Sequence, residues 1–175
     1  MSANKIPVKS RITKNENIFF IGIFSSYFNL VNFYLLNNFM NYYFTICTKP
    51  GQKVHGCVHW KEMFISNKNY TVIRCRDRAT DKLLGQIVIE LTENDAWIFF
   101  LSVKPICREN GIGTKLMSLA EKFIKKANYT CVLLHPQKEF EDRLIPWYEK
   151  QGYSKMFRDP ICKNEWLMIK SFLTF

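Results

Sequence analysis

The sequence lacks the closely spaced ligand pairs that build most metal sites in small domains. Its six cysteines include no C-x-x-C pair, and it has three histidines. His55 and His59 lie four residues apart and could share a helix face, but no third ligand is evident beside them. We therefore expect no bound metal, and we interpret the widely spaced cysteines as reduced thiols of a cytoplasmic protein.

Two common phosphate-binding patterns are also missing. Neither G-x-x-x-x-G-K-[ST] nor G-x-G-x-x-G occurs, so nucleotide hydrolysis and dinucleotide binding lose their usual support. The formal net charge of +10 favours anionic partners, but lysines and arginines are scattered along the chain from Lys5 to Lys170. A nucleic-acid partner is therefore not favoured, because such proteins concentrate their basic residues in a patch or stripe.

Charged residues are absent from the stretch between Asn17 and Thr48, and basic residues precede it. This arrangement is typical of a membrane anchor over residues 18–40, yet serines and asparagines interrupt the run. We favour a buried strand over residues 18–24 and a helix over residues 26–40, where apolar side chains recur every three or four positions. The membrane alternative stays open at this stage.

Length and composition indicate one globular domain over residues 1–175. A chain of 175 residues leaves no room for a second full domain, and 47% hydrophobic with 23% charged residues is ordinary globular usage. The pattern becomes regular after residue 70. Strands are predicted over residues 71–76, 84–91, 96–103, 130–134 and 164–172, with a turn at 80–82 and helices over 113–126 and 143–151. This order predicts an α/β (α+β) fold with a mixed sheet and helices on both faces.

The segment Arg108-Glu109-Asn110-Gly111-Ile112-Gly113 connects a predicted buried strand to the predicted helix over residues 113–126. Unpaired N–H groups and the helix dipole make such a helix start an anion site, and glycines let the backbone come close to the bound group. Arg108 adds a permanent positive charge. A short G-x-G segment is also consistent with a simple tight turn, and the residues alone leave both interpretations open.

Three segments together resemble the GNAT superfamily of acetyl-CoA-dependent N-acetyltransferases. They are residues 98–105 (IFFLSVKP), residues 108–116 (RENGIGTKL), which match the family's [Q/R]-x-x-G-x-[G/A] loop, and residues 144–153 (LIPWYEKQGY). The likeness covers about residues 70–172, while residues 1–69 match only in the expected order of strand and helix. The resemblance implies a mostly antiparallel central sheet of about six to seven strands.

The resemblance also implies where acetyl-CoA, as cosubstrate, would bind. The backbone of Leu101, Ser102 and Val103 would pair with the pantetheine amides, and the next strand would splay away near Leu134. The pyrophosphate would be held by the loop and helix start, which comprise Arg108, Glu109, Asn110, Gly111, Ile112, Gly113 and Thr114.

For catalysis, the resemblance places Tyr148 at the position of a general acid that protonates the departing thiolate. A phenol with a pKa of about 10 is protonated at neutral pH and can donate to sulfur. The general base departs from the family pattern. Some members have a glutamate on the central strand, but the matching position here is Trp97 or Ile98, and neither side chain can accept a proton. His135 stands where other members place a glutamate, and its imidazole suits proton transfer at neutral pH. Acidic residues acting through water are the alternative, namely Glu90, Glu93 and Asp95.

The resemblance therefore implies an N-acetyltransferase that acts on a primary amine of a small molecule or protein, by direct attack in a ternary complex. The alternative is a catalytically inactive module of the same fold that binds a partner through its basic surface. A homodimer is left open by the aromatic surplus.

Overall fold

The computed structural model describes residues 34–35, 41–49, 51–55, 62–65 and 70–173. Ten strands and two α-helices occur among them. In chain order they are β1 (Tyr34–Leu35), β2 (Tyr42–Cys47), β3 (Gln52–His55), β4 (Glu62–Ile65), β5 (Tyr70–Asp77), β6 (Leu83–Leu91), β7 (Ala96–Val103), α1 (Ile112–Lys126), β8 (Cys131–Leu134), α2 (Glu141–Lys150), β9 (Ser154–Asp159) and β10 (Glu165–Ser171). Short 3-10 turns span Pro105–Cys107 and Lys138–Phe140.

Eight of these strands form one sheet in the order β1-β2-β5-β6-β7-β8-β10-β9, while β3 and β4 form a separate hairpin. Within the described residues β7 and β8 are parallel, and the other neighbouring pairs are antiparallel. The predicted mixed, mostly antiparallel sheet is confirmed. It has one strand more than the six to seven expected, because the two-residue β1 extends its edge.

Helix α1 covers one face of the sheet and supplies the centre of the core. Leu116, Met117 and Ile124 on the helix have no measurable exposure, and they pack with Ile87 and Ile89 of β6. Complete burial of a side chain of this size stabilises the fold by roughly 1.5–3 kcal/mol relative to exposure. The regularly spaced apolar residues that predicted a helix over residues 113–126 form this buried face.

The opposite face of the sheet is covered by β3 among the described residues. Val54 of β3 packs against Val72 and Val88, and all three are fully buried. The carbonyl of His55 accepts hydrogen bonds from Gln86 Nε2 (2.9 Å) and Ser102 Oγ (2.8 Å), which fixes β3 to the centre of the sheet. Both described helices contribute to the core on the α1 side.

Strand β7 contains a β-bulge at Phe99. Val88 pairs with Phe100 and Ile89 pairs with Ile98, so Phe99 is the extra residue on β7. The bulge changes which residues of β7 face α1. Ile98 packs into the α1 core on the N-terminal side of the bulge, and Leu101 does so on its C-terminal side. Phe99 is 50% exposed and stacks on Tyr70 at a ring-centroid distance of 5.3 Å. The prediction of a buried strand is therefore wrong at Phe99.

Most elements predicted after residue 70 are confirmed to within two residues at each end, including α2 and the final strand. Strands β2, β3, β4 and β9 were not predicted. In the N-terminal region, the predicted helix over residues 26–40 is wrong at Tyr34–Leu35, which pair antiparallel with β2. The rest of that helix and the strand over residues 18–24 lie outside the described residues. Neither α-helix in the described part has the length and hydrophobicity that a bilayer crossing requires.

Candidate active site

Strands β7 and β8 separate partway along β7. Their pairing comprises Trp97 with Leu133 and Ile98 with Leu134, whereas β7 continues to Val103 and stays paired with β6. The strands thus part at Leu134, the point that the sequence analysis expected. The separation leaves one side of the second half of β7 facing a cleft.

Hydrogen-bond alternation determines which peptide groups of β7 face this cleft. The N–H of Lys104 donates to the carbonyl of Leu84 at 2.8 Å, which makes this pair a hydrogen-bonded one on the β6 side. In an antiparallel ladder the hydrogen-bonded pairs alternate, so the peptide groups of Leu101 and Val103 point away from β6. The side chain of Ser102 points to the opposite sheet face, where it binds the His55 carbonyl.

The loop between β7 and α1 carries two residues in the left-handed region. Glu109 has φ 65° and Gly111, the N-cap of α1, has φ 73°. No side chain caps the start of α1, and its first turn contains no acidic residue. The N-terminal N–H groups and the helix dipole therefore meet no anionic side chain from this turn. Alternation of left-handed and right-handed residues also produces the backbone concavities that bind anions.

Arg108 lies across the end of β7 in this structure. Its Nε–H donates to the carbonyl of Val103 at 3.2 Å, and the residue is exposed. The Val103 carbonyl points toward the cleft, where a ligand lying along β7 would be expected to bind it. In this structure that carbonyl accepts a hydrogen bond from Arg108 instead.

The separated strands, the loop, the start of α1 and helix α2 enclose a cleft of about 1040 Å³. This volume is at the upper end for small-molecule sites and suits a large ligand. Ten of the twelve predicted site residues line it, namely Leu101, Ser102, Val103, Arg108, Glu109, Gly111, Gly113, Thr114, His135 and Tyr148. The other two are Ile112, whose side chain is buried in the core, and Asn110, which is exposed in the loop.

Tyr148 projects from α2 into the cleft with its ring held by two aromatic neighbours. It is 6% exposed, and its ring packs edge-on against Trp147 and Tyr153 at centroid distances of 4.9 and 5.8 Å. Tyr153 is fixed in turn, because its hydroxyl donates to Glu121 of α1 at 3.2 Å. Burial, reinforced by the Glu121 carboxylate, raises the pKa of Tyr153, so its hydroxyl remains a donor.

Lys170 of β10 completes this support of α2. Its Nζ lies 2.7 Å from Glu121 Oε2 and donates to the carbonyl of Gln151 at 2.6 Å. The contacts join α1, β10 and the C-terminal end of α2, which carries Tyr148. The side chains of Lys170 and Glu121 are 23% and 14% exposed, so solvent screens this ion pair less than a surface pair.

His135 follows β8 and stacks on Trp97 with a centroid distance of 5.6 Å and an interplanar angle of 18°. Its side chain is 15% exposed, and its Nε2 lies 3.5 Å from Asp159 Oδ2 at the end of β9. The carboxylate favours a proton on Nε2, which leaves Nδ1 as the proton acceptor of the neutral imidazole. Nδ1 is buried and has no hydrogen-bond partner among the described residues.

Asp159 is held in position by backbone donors. Its Oδ1 accepts from the N–H of Ile161 at 2.9 Å and of Cys162 at 3.4 Å. The Ile161 N–H, with smaller contributions from Cys162 and His135, lowers the pKa of Asp159, so the carboxylate is charged at neutral pH. Loss of water contact raises the pKa of the Cys162 thiol, and the nearby Asp159 carboxylate raises it further.

None of the three alternative acidic bases lines the cleft. Glu90 lies on β6 opposite Trp97, while Glu93 and Asp95 belong to the turn between β6 and β7. The sequence analysis missed several residues that do line it, including Gln137, Phe140, Arg143, Cys162 and Glu165. Their positions in loops, in α2 and at the start of β10 carry no pattern that would have singled them out. The second histidine of the candidate metal pair, His59, lies outside the described residues.

Comparison with known proteins identifies the family and the fold. A sequence profile described as the acetyltransferase (GNAT) family matches residues 33–153, which is more than half of the chain. No curated protein sequence matches the chain.

Solved structures with similar folds are acetyltransferases. PaiA N-acetyltransferase from Thermoplasma acidophilum, in complex with coenzyme A, is 24% identical with a TM-score of 0.53, and the match covers 61% of this chain and 64% of PaiA. The chain therefore spans less than two thirds of that protein. A putative streptothricin acetyltransferase from Bacillus anthracis, in complex with acetyl coenzyme A, is 17% identical with a TM-score of 0.52 over 74% of this chain and 89% of its own.

Nourseothricin acetyltransferase has a TM-score of 0.53 at 13% identity, over 72% of this chain and 86% of its own. At these identities the structures establish the fold alone. The profile match extends through the loop after β7, α1 and α2, which form the cleft. The chain belongs to the acetyltransferase (GNAT) family.

Proposed function

We propose that this protein transfers the acetyl group of acetyl-CoA to a primary amine of a small molecule or protein, by direct attack in a ternary complex. The observation that carries the proposal is that the open side of β7 and the uncapped start of α1 face one cleft, with Tyr148 and His135 on its walls. The complexes of PaiA with coenzyme A and of the streptothricin acetyltransferase homologue with acetyl coenzyme A support acetyl-CoA as cosubstrate.

The cofactor would lie across both parts of the cleft. The pantetheine amides pair with the peptide groups of Leu101 and Val103, and Arg108 leaves the Val103 carbonyl to approach phosphate. The amides of residues 110–114 surround the pyrophosphate, where the helix dipole stabilises negative charge. Ser102 does not pair with the cofactor, because its peptide groups point toward β6 and its hydroxyl donates to the His55 carbonyl; it holds the strand in place between Leu101 and Val103.

Acetyl transfer then needs one proton acceptor and one proton donor. The neutral amine attacks the thioester carbonyl, forming the C–N bond, and the C–S bond breaks as the intermediate collapses. The ammonium proton passes to His135 Nδ1, directly or through water, once the ring turns this buried atom toward the cleft, while the Tyr148 hydroxyl protonates the departing thiolate. Asp159 holds the proton of His135 on Nε2 and stabilises the imidazolium that forms.

Three substitutions at or away from the loop test the placement of the cofactor. Gly111→Glu places a carboxylate at the start of α1, and we expect it to weaken coenzyme A binding more than about tenfold. Gly111→Ala introduces the backbone strain without the charge, since a Cβ there meets no atom within 4 Å. Asn94→Asp adds the same charge in the exposed β6–β7 turn. Calorimetric titration with coenzyme A measures all three.

We expect Asn94→Asp to bind coenzyme A as tightly as the parent chain does. Gly111→Ala should bind it slightly more weakly, and Gly111→Glu should bind it most weakly. Equal affinity of Gly111→Glu and Gly111→Ala would show that the loop does not bind the pyrophosphate. Release of free thiol from acetyl-CoA in the presence of a panel of amines then measures the transfer itself.

A catalytically inactive binding module is the second candidate. It is favoured by the absence of a carboxylate from the part of β7 that lines the cleft, where Trp97 and Ile98 stand. Thioester consumption with any amine of the panel would eliminate this candidate. Retention on RNA that falls steeply with added salt, without thioester consumption, would support it.

The cytoplasmic location and the homodimer stay predictions. Five of the six cysteines lie in the described part of the chain, and those five are free thiols.

A further inference from the structure

Three side chains with metal-binding atoms meet on one wall of the cleft. His135 follows β8, Asp159 ends β9, and Cys162 lies in the turn between β9 and β10. One ligand atom of each lies within 4.8 Å of the other two, and all three residues are partly buried. His135 and Cys162 also line the cleft.

The donor set has the chemistry of a zinc site. An imidazole nitrogen, a carboxylate oxygen and a thiolate sulfur are the ligands that Zn²⁺ takes in proteins, and three protein ligands leave one of four tetrahedral positions for water. The partial burial of the three groups means that folding has already removed part of their hydration. Binding an ion therefore requires less further desolvation than it would at exposed side chains.

Hydrogen bonds from the protein hold the cluster in position. Asp159 Oδ1 is held by the N–H groups of Ile161 and Cys162, which leaves Oδ2 directed toward His135 Nε2 at 3.5 Å. Carboxylates that bind metals are typically oriented by outer-shell hydrogen bonds of this kind. The turn that carries Cys162 is itself tied down, because Lys138 Nζ donates to the Lys163 carbonyl at 3.0 Å.

We propose that His135 Nε2, Asp159 Oδ2 and Cys162 Sγ bind one divalent ion of the zinc class at this wall of the cleft. The Cys162 thiol releases its proton to solvent when it coordinates the ion. His135 Nδ1 has no hydrogen-bond acceptor among the described residues. The outer shell is therefore incomplete, and we expect binding to be reversible and roughly 10–100-fold weaker than at a fully supported site.

Such an ion would inhibit acetyl transfer, a consequence that rests on the proposed function. A neutral imidazole carries one proton, so an ion on Nε2 moves that proton to Nδ1. His135 then has no lone pair with which to accept a proton from the amine. The ion is thus a ligand of the cleft wall that competes with catalysis, and the transfer reaction does not require it.

The test uses Co²⁺ as a spectroscopic probe of the purified full chain, without acetyl-CoA or amine. Thiolate coordination produces a sulfur-to-cobalt charge-transfer band in the near ultraviolet, and tetrahedral geometry produces intense visible bands. We expect both to appear on titration with Co²⁺ and to disappear when Zn²⁺ displaces it. Cys162→Ser should remove the charge-transfer band and weaken binding more than about 100-fold, since loss of an outer-shell partner alone costs about 10–100-fold.

Cys131→Ser is the matched control, because this partly buried cysteine lies on β8 and does not line the cleft. The Cys131→Ser variant should give the same Co²⁺ absorption spectrum as the parent chain. Asp159→Asn keeps the Oδ1 acceptor of the turn but loses the charge, and it should weaken Co²⁺ binding without unfolding the protein. Absence of the charge-transfer band in the parent chain, or its persistence in Cys162→Ser, would overturn the site. Because the titration contains no substrate, this result is independent of whether the chain transfers acetyl groups.

Discussion

At the scale of single residues, the proposed chemistry separates two tyrosines whose rings are in contact. Tyr148 lines the cleft, whereas the Tyr153 hydroxyl is engaged by Glu121 on the core side. The sequence places both in one short segment that resembles the family signature. The structure assigns them different environments, and this difference can be measured.

Replacement of Tyr148 by phenylalanine should lower kcat about 100-fold and leave the KM for acetyl-CoA nearly unchanged. The ring contacts with Trp147 and Tyr153 persist in Tyr148→Phe, and the variant lacks the hydroxyl that we propose protonates the thiolate. The rate of thiol release from acetyl-CoA at saturating amine measures the effect.

Tyr153→Phe is the control for that experiment. It removes the hydrogen bond to Glu121 and should lower the free energy of unfolding by about 1 kcal/mol while kcat stays near the parent value. A similar loss of kcat in both variants would mean that Tyr148 supports the structure of α2 and does not donate the proton.

At the scale of elements, the position of the α1 start depends on Gly85 of β6. A Cβ at this residue would lie 3.1 Å from Ile112 Cγ2, 3.2 Å from the Ser102 carbonyl oxygen and 3.3 Å from Leu116 Cδ1. The glycine therefore lets the first turn of α1 approach the sheet closely. Gly113, on that first turn, has no comparable restriction, because its nearest neighbour would be Trp147 Cζ2 at 3.7 Å.

We accordingly expect Gly85→Ala to lower the free energy of unfolding by about 1–3 kcal/mol and to weaken coenzyme A binding, since overpacking displaces the helix start. Gly113→Ala should keep the stability, because its Cβ would meet neighbours at ordinary contact distances. Chemical denaturation and calorimetric titration of the two variants test this. Wild-type affinity in Gly85→Ala would indicate that the position of the α1 start does not control cofactor binding.

The elements differ in how far sequence could predict them. Helix α1 was predicted because one face is buried in the core and leaves a clear spacing of apolar residues. Strand β9 was missed because it is the sheet edge and most of its side chains are exposed, including Met156 and Phe157 at 50% each. The bulge at Phe99 leaves no sequence signal, since every neighbouring residue is apolar or aromatic as well.

At the scale of the whole molecule, strand order assembles groups that are distant in the chain. Strand β10 lies between β8 and β9, which brings the end of β9 beside the end of β8. Asp159 and Cys162 thereby reach His135, although no spacing in the sequence connects them. The loop before α1 could be predicted as a candidate cofactor site because its residues are consecutive. The partners of His135 could not, because they depend on the pairing of three strands.

The central claim is that the start of α1 and the open side of β7 together bind coenzyme A. A crystal structure of the full chain grown with coenzyme A tests it most directly. We predict the pyrophosphate at the amides of residues 110–114, the pantetheine along Leu101 and Val103 with Arg108 released from the Val103 carbonyl, and the thiol beside Tyr148. Coenzyme A bound elsewhere, or β8 paired with β7 up to Val103 in the complex, would contradict it.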